Sequence, residues 1–234
     1  SRIGDTEDQT IPGGLAAGFG LTRLDRNLRA DENSLTSGTV RPEKGGRGYI
    51  PYTNHRLLWH TDGYYNPAAR QVRAFVLHCA HPAAEGGENA LYDPELLYIR
   101  LRDENPDWVA ALMAEDAMTI PANEETGGDT RPAVTGPVFS VDAGDGSLHL
   151  RYTARTRSIQ WKPDADTADA VARIESLLNG DTPGLFRVTL QAGQGLLSNN
   201  VLHNRTGFTD RPAGPARLMY RIRGTGLRDI HPSC

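Results

Sequence analysis

The chain has 234 residues, 38% of them hydrophobic, with a formal net charge of −4 and a pI near 6.0. These figures allow one large domain with its own core and exclude the globally basic surface of a nucleic-acid binder. No apolar run is long enough to span a membrane, and "SRIGDTEDQT" lacks the pattern of a secretory leader. The two cysteines, Cys79 and Cys234, make neither a disulfide framework nor a Cys-x-x-Cys pair, so a soluble, cytoplasmic protein is expected.

Residues 1–50 are polar and glycine-rich and read as mostly loop, with a short strand over 18–24. "RQVRAFVLHC", 70–79, reads as a strand with Val72, Ala74, Val76 and His78 on one face and Cys79 as a buried strand residue. Asp93 followed by Pro94 opens a helix through Asn105, and a second helix follows from Pro106. Residues 120–137 read as a long loop. Ordered domains seldom keep such a loop without a use, so a lid over a site is expected there. "PVFSVDAGDGSLHLRY" reads as a hairpin turning at Asp145-Gly146.

Residues 164–180 give the clearest helix: acidic residues in its first turn, apolar spacing through Val171, Ile174, Leu177 and Leu178, and Gly180 as its stop. "GLFRVTLQAGQGLLSNNVLHNR" and "ARLMYRIRG" supply three further strands. There is no internal repeat and no linker. The expectation is a single domain over 1–234, mainly β with outer helices, of the jelly-roll or sandwich kind.

Chemistry gathers around "LLWHTDGYYN", 57–66. On a strand, residues i and i+2 share a face, so His60 and Asp62 would project side by side. The plainer alternative is a hairpin end with a capping aspartate. His203, ending an apolar strand after an Asn-Asn pair, is a third candidate. Two imidazoles and one carboxylate form the ligand set of non-haem Fe(II) oxygenases, which leave positions open for cosubstrate and dioxygen. Beyond the histidine, Arg217 and Arg221 lie four apart on a strand and would face the same side. A guanidinium is the natural partner for a distal carboxylate, through two parallel charge-assisted hydrogen bonds.

His-x-Asp, a distant Asn-x-x-x-His and an arginine fourteen residues beyond it resemble the Fe(II)/2-oxoglutarate-dependent dioxygenases of the TauD/TfdA and γ-butyrobetaine hydroxylase group. "VLHCAHPAAEGGENALYD" is similar to the stretch where that group carries Gly-Gly-Asp/Glu and a small polar residue touching 2-oxoglutarate. The likeness runs from Leu57 to Arg223.

The resemblance implies a double-stranded β-helix in which His60, Asp62 and His203 hold Fe(II). Arg217 would bind the C5 carboxylate of 2-oxoglutarate, and Asn89 would stand where many relatives have threonine. Arg221 would serve the cosubstrate or the acidic end of the prime substrate. It further implies O2 as the oxidant, release of succinate and CO2, and hydroxylation over halogenation, since Asp62 is present. The segment before the His-x-Asp is shorter than this group usually carries.

The prime substrate is expected to be small and polar, an amino acid or another carboxylate-bearing molecule. Arg151, Arg155 and Arg157 offer cations to it, and Tyr64 and Tyr65 offer walls to the pocket. Charged outer-strand residues and aromatic core packing are the plainer readings of those five. No nucleic-acid or membrane partner is expected, and assembly of the chain with itself stays open. Two alternatives use the same residues differently: a zinc-dependent hydrolase, and a non-catalytic jelly-roll binding protein.

Overall fold

The structure is a computed structural model that describes residues 7–25, 36–38, 53–123, 131–155 and 159–227. Arg157, Cys234 and the centre of the 120–137 segment lie outside the described residues. Two antiparallel sheets face each other across the site. The larger has the order Leu21–Leu24, Leu218–Leu227, Ala74–His81, Gly195–Ser198, with Thr36–Gly38 pairing beside Leu218–Leu227. The smaller has the order Phe186–Val188, Asn89–Tyr92, Leu202–Arg205, Leu57–His60.

Alternation along these strands divides the molecule. In the larger sheet Ala74, Val76, Ala80, Tyr220 and Ile222 form a buried cluster with Ala16 and Leu21. Met219, Arg221 and Arg223 pair with Cys79, Leu77 and Phe75 and therefore face the opposite way, toward the second sheet. In the smaller sheet Trp59, Ala90, Tyr92 and Leu202 turn outward into the main core. His60, Asn89, His203 and Arg205 occupy the inner face, as their paired registers require. Phe75 of one sheet meets His203 of the other with ring centroids 4.9 Å apart.

Among the described residues there are four helices. The first, α1 (Thr10–Gly18), falls where the sequence reads as loop. Its composition, TIPGGLAAG, hides it, but Pro12 is tolerated in a first turn, and Pro12 and Ala16 are buried against the larger sheet. The expected strand at 18–24 is shortened accordingly to Leu21–Leu24.

The next two helices, α2 (Pro94–Glu104) and α3 (Pro106–Leu112), start as the sequence predicts. Asp93 accepts from the Glu95 and Leu96 N–H groups, and Asn105 from that of Asp107. In α4 (Ala165–Asn179), Asp164 caps the N-terminus and Gly180 follows the end. Ala170, Ile174, Leu177 and Leu178 are buried, whereas Val171 packs at the margin. These last three helices cover the outer face of the smaller sheet, burying Leu97, Leu101, Val109 and Leu112 in the main core. None of the described helices is long and apolar enough to cross a membrane.

The hairpin turning at Asp145-Gly146 is present, Phe139–Val141 pairing with Leu148–Leu150. The 120–137 segment is not loop throughout. Met118–Ile120 pairs with Val134–Gly136, and Asn123 bridges Arg131. Three-residue strands flanked by proline and glycine carry too little alternation to be seen in sequence. The C-terminal region likewise holds five strands rather than three, because Phe186–Val188, Gly195–Ser198, Leu202–Arg205 and Phe208–Thr209 are separate pairings.

Candidate metal and cosubstrate site

His60 is the last residue of the Leu57–His60 strand, so Asp62 lies just beyond the strand rather than on it. The carboxylate still comes alongside its histidine, with His60 Nε2 3.8 Å from Asp62 Oδ1. Two local features bend the chain so. Gly63 has φ +67°, and a Cβ there would lie 2.6 Å from the Val72 side chain. Asn200 bonds the Asp62 backbone on both sides, accepting from its N–H at 2.7 Å and donating to its carbonyl at 2.9 Å.

His203 arrives from the neighbouring strand in direct register with His60. It is the second residue of Leu202–Arg205 rather than the end of an apolar strand. The apolar run before it, Gly195–Ser198, belongs to the other sheet, and Asn199-Asn200 lie where the chain crosses over. One ligand atom from each of His60, Asp62 and His203 fits within 4.8 Å of the others, and a metal ion fits between them.

The surroundings prepare the three for a cation. His60 Nδ1 donates to the Leu58 carbonyl and His203 Nδ1 to the Val201 carbonyl, each at 2.8 Å. A carbonyl only accepts, so both rings carry their proton on Nδ1 and offer the Nε2 lone pair. Burial, helped by the neighbouring His203, pushes the His60 pKa down to about 3, and burial lowers that of His203. Burial alone would raise that of Asp62, but Arg221, Arg223 and the two histidines hold it below the usual carboxylate range. The Asp62 Oδ2 atom is buried with no hydrogen-bond partner among the described residues. Two neutral imidazoles, one carboxylate and an orphaned oxygen among them are the donor set of a divalent transition metal.

A second feature stands deeper on the same inner face. Arg217, just before the Leu218–Leu227 strand, is only 6% exposed, yet its guanidinium has no acceptor among the described residues. It lies over the Phe208 ring at 4.9 Å, and burial depresses its pKa. Arg205 flanks the same ring at 4.8 Å, with its guanidinium bonded to the Thr53 and His55 carbonyls. Asn89, buried and paired with Arg205 across the sheet, donates weakly to the Gly87 carbonyl at 3.4 Å. In "GGEN", Gly86 and Gly87 both have positive φ. A Cβ on Gly86 would lie 2.2 Å from the Gly207 carbonyl oxygen, so only glycine permits that approach. Burial raises the nearby Cys79 thiol to about 11, against the pull of Arg217.

The remaining candidates separate. Arg221 donates to Asp62 Oδ1 at 3.0 Å, a contact that the spacing alone does not reveal. Arg151 is buried and bonded to the carbonyls of Met118, Val134, Gly136 and Pro137, so it staples strands and is not available to a substrate. Arg155 is partly buried and its guanidinium has neither acceptor nor ion pair among the described residues. Thr153 bridges His60, while Tyr152 and Ala154 pack into the main core. Thr153 therefore lies beside His60, and Arg155 follows two residues on, its N–H reaching Thr153 Oγ1 at 3.4 Å. Tyr64 and Tyr65 pack edge to face at 5.2 Å against the main core. Sequence reasoning missed three buried residues here: Asn200, Arg205, and Arg223, which pairs with Asp25 and reaches the Tyr65 hydroxyl at 3.4 Å.

Two facing antiparallel sheets with this donor set between them define a class, the 2-oxoglutarate-dependent non-haem iron dioxygenases, and the comparisons agree. Residues 13–223 match the taurine catabolism dioxygenase TauD, TfdA family, and the chain belongs to that family. A uridine-5'-phosphate dioxygenase from Streptomyces sp is 32% identical over 201 residues, 81% of this chain and 68% of that protein. One from Amycolatopsis sp is 29% identical over 171 residues, 69% of this chain and 58% of that protein. The non-haem iron oxygenase OrfP, solved with Fe and alpha-ketoglutaric acid, superposes with a TM-score of 0.59 at 17% identity, over 82% of this chain and 56% of that one. The fold is thus the double-stranded β-helix of these oxygenases, and the chain spans little more than half of the solved protein.

Proposed function

We propose that this chain oxidises a small anionic substrate with Fe(II), 2-oxoglutarate and O2, and that His60, Asp62 and His203 hold the iron. The observation that carries the reading is Arg217: a buried guanidinium with no acceptor among the described residues, on the face that also presents the three metal-ligand candidates. Burying an unpaired charge is costly, so the site is built for a carboxylate that comes and goes. Arg217 binds the distal carboxylate of 2-oxoglutarate, Asn89 borders it, and Phe208 holds the arginine in place. When bound, iron couples decarboxylation of 2-oxoglutarate to succinate and CO2 with oxidation of the substrate by dioxygen. Arg221 and Arg223 keep Asp62 ionised, and the Leu58 and Val201 carbonyls hold both imidazoles in the binding tautomer.

For the prime substrate we favour a phosphate monoester of the nucleoside 5'-phosphate kind over an amino acid. Support comes from the uridine-5'-phosphate dioxygenases among the relatives and from Arg155, a partly buried cation with no acceptor among the described residues, two residues past the Thr153 that bridges His60. Arg221, bonded to Asp62, and Tyr64, two residues beyond it, stand near enough to the site to contribute. The test is succinate formation by the anaerobically iron-loaded protein in the presence of O2, with uridine 5'-phosphate, uridine, asparagine and arginine as alternative substrates. Turnover that depends on both iron and 2-oxoglutarate supports the oxygenase. Hydrolysis by the zinc form without 2-oxoglutarate, or no metal binding at all, overturns it. Uridine 5'-phosphate outperforming uridine and both amino acids supports the substrate class.

A further inference from the structure

Asn200 is 3% exposed and is the only non-glycine residue with positive φ, +59°, among the described residues. Asparagine tolerates this left-handed conformation better than most residues, but it still costs free energy, and persists only where the surroundings require it. Here the requirement is visible. The Asn200 amide spans two remote segments: its Oδ1 accepts from the Asp62 N–H, and its Nδ2 donates to the Asp62 carbonyl and, at 2.7 Å, to that of Val72. Its amide oxygen and both donor protons are engaged by main chain.

The same turn serves a second ligand. Val201, the next residue, accepts from His203 Nδ1, and its own N–H reaches Ser198 Oγ at 3.3 Å. Four residues crossing between the sheets therefore fix the ring of His203 and the backbone of Asp62, which lie far apart in sequence. Asp62 needs such a holder because it lies past the end of its strand, where no ladder hydrogen bond sets its position.

We infer that Asn200 is a positioning residue for the metal site: through the two main-chain bonds to Asp62 it aims the carboxylate that completes the ligand set. This rests on the reading of His60, Asp62 and His203 as metal ligands. Asn199, exposed in the same pair, has no such part.

Co(II) titration of the metal-free protein, by calorimetry and by the visible absorption of the bound ion, tests it. Asn200→Gly removes the side chain while relieving the backbone, and should bind Co(II) about 10–100-fold more weakly, the range for lost outer-shell partners. Its Co(II) spectrum should change, and Asn199→Ala should match the wild type. On an Asp62→Ala background, adding Asn200→Gly should cost nothing further, because the carboxylate it positions is gone. Asn200→Asp guards against a glycine variant that fails to fold. It keeps the acceptor and loses both donors, so weaker Co(II) binding despite the added negative charge supports the inference. Wild-type affinity in Asn200→Gly, unchanged or tighter binding in Asn200→Asp, or an equal loss on the Asp62→Ala background overturns it. A wild type that does not bind Co(II) overturns the metal site itself.

Discussion

The guanidinium of Arg221 donates to Oδ1 of Asp62 at 3.0 Å, while Oδ2 of the same carboxylate has no hydrogen-bond partner among the described residues. Oδ1 is thus held by the larger sheet through Arg221 and is also the oxygen 3.8 Å from His60 Nε2. Arg221→Gln should destabilise the metal-free protein by about 2 kcal/mol, the scale of a hydrogen bond to a buried charge. Added metal should recover most of that loss, because the cation compensates Asp62 in place of the guanidinium. Thermal unfolding with and without Co(II) checks both parts, and an equal loss in both states would refute the coupling.

Arg217 makes a separate claim on the cosubstrate. A lysine keeps the charge but not the planar fork, so Arg217→Lys should weaken 2-oxoglutarate binding by about 2–5 kcal/mol, as for truncating one partner of a buried charge pair. Metal affinity should hold, since none of the three ligands is altered. The measurement is 2-oxoglutarate titration of the anaerobic Fe(II) protein, followed by its charge-transfer absorption. Unchanged affinity would leave Arg217 an ordinary structural residue.

Arg155 carries the substrate-class proposal. Arg155→Gln should raise KM for a phosphate monoester by about tenfold or more, the worth of one charge-assisted hydrogen bond. The 2-oxoglutarate affinity should stay as it is. A KM that moves equally for uridine and uridine 5'-phosphate would remove Arg155 from phosphate recognition.

His149, in the Leu148–Leu150 strand, shapes acid stability. Burial, then the charges of Arg73 and Arg151, push its pKa down to about 4 from 6.5. As pH falls below 6.5 the unfolded chain takes up the proton first, so stability contributed by the neutral ring is lost between pH 6.5 and 4. One such proton is worth about 1.4 kcal/mol per pH unit. His149→Gln should flatten the acid limb of the stability curve by close to that slope, as read from urea melts across pH 4–6.5. Parallel curves would refute it.

Local signals in the sequence reported what local chemistry determines. Asp93-Pro94 and Asn105-Pro106 start helices because capping needs only neighbours. His60, Asp62 and His203 were legible because donor types and spacing survive without a fold. Asp25 with Arg223, Asn200 with Asp62, and Arg205 with the Thr53 and His55 carbonyls were not. Each joins segments remote in the chain, and nothing in either segment alone names its partner. Arg151 shows the converse error. A run of arginines reads as a charged face, yet this one donates to four carbonyls in and beside short strands.

The direct register of His203 against His60 also bears on how the protein is handled by proteases. The Leu57–His60 strand is the last of its sheet, paired to its neighbour at His203↔His60 and Arg205↔Leu57 with an irregularity between them, and tied on its other side by the His60↔Thr153 bridge. An ion gripped from both strands would act as a clasp across that pairing, closing a long chain loop that otherwise depends on a few backbone bonds. Iron starvation would then leave a chain that frays first at the strand carrying its own ligands, so metal supply would govern how long the protein survives as well as whether it works.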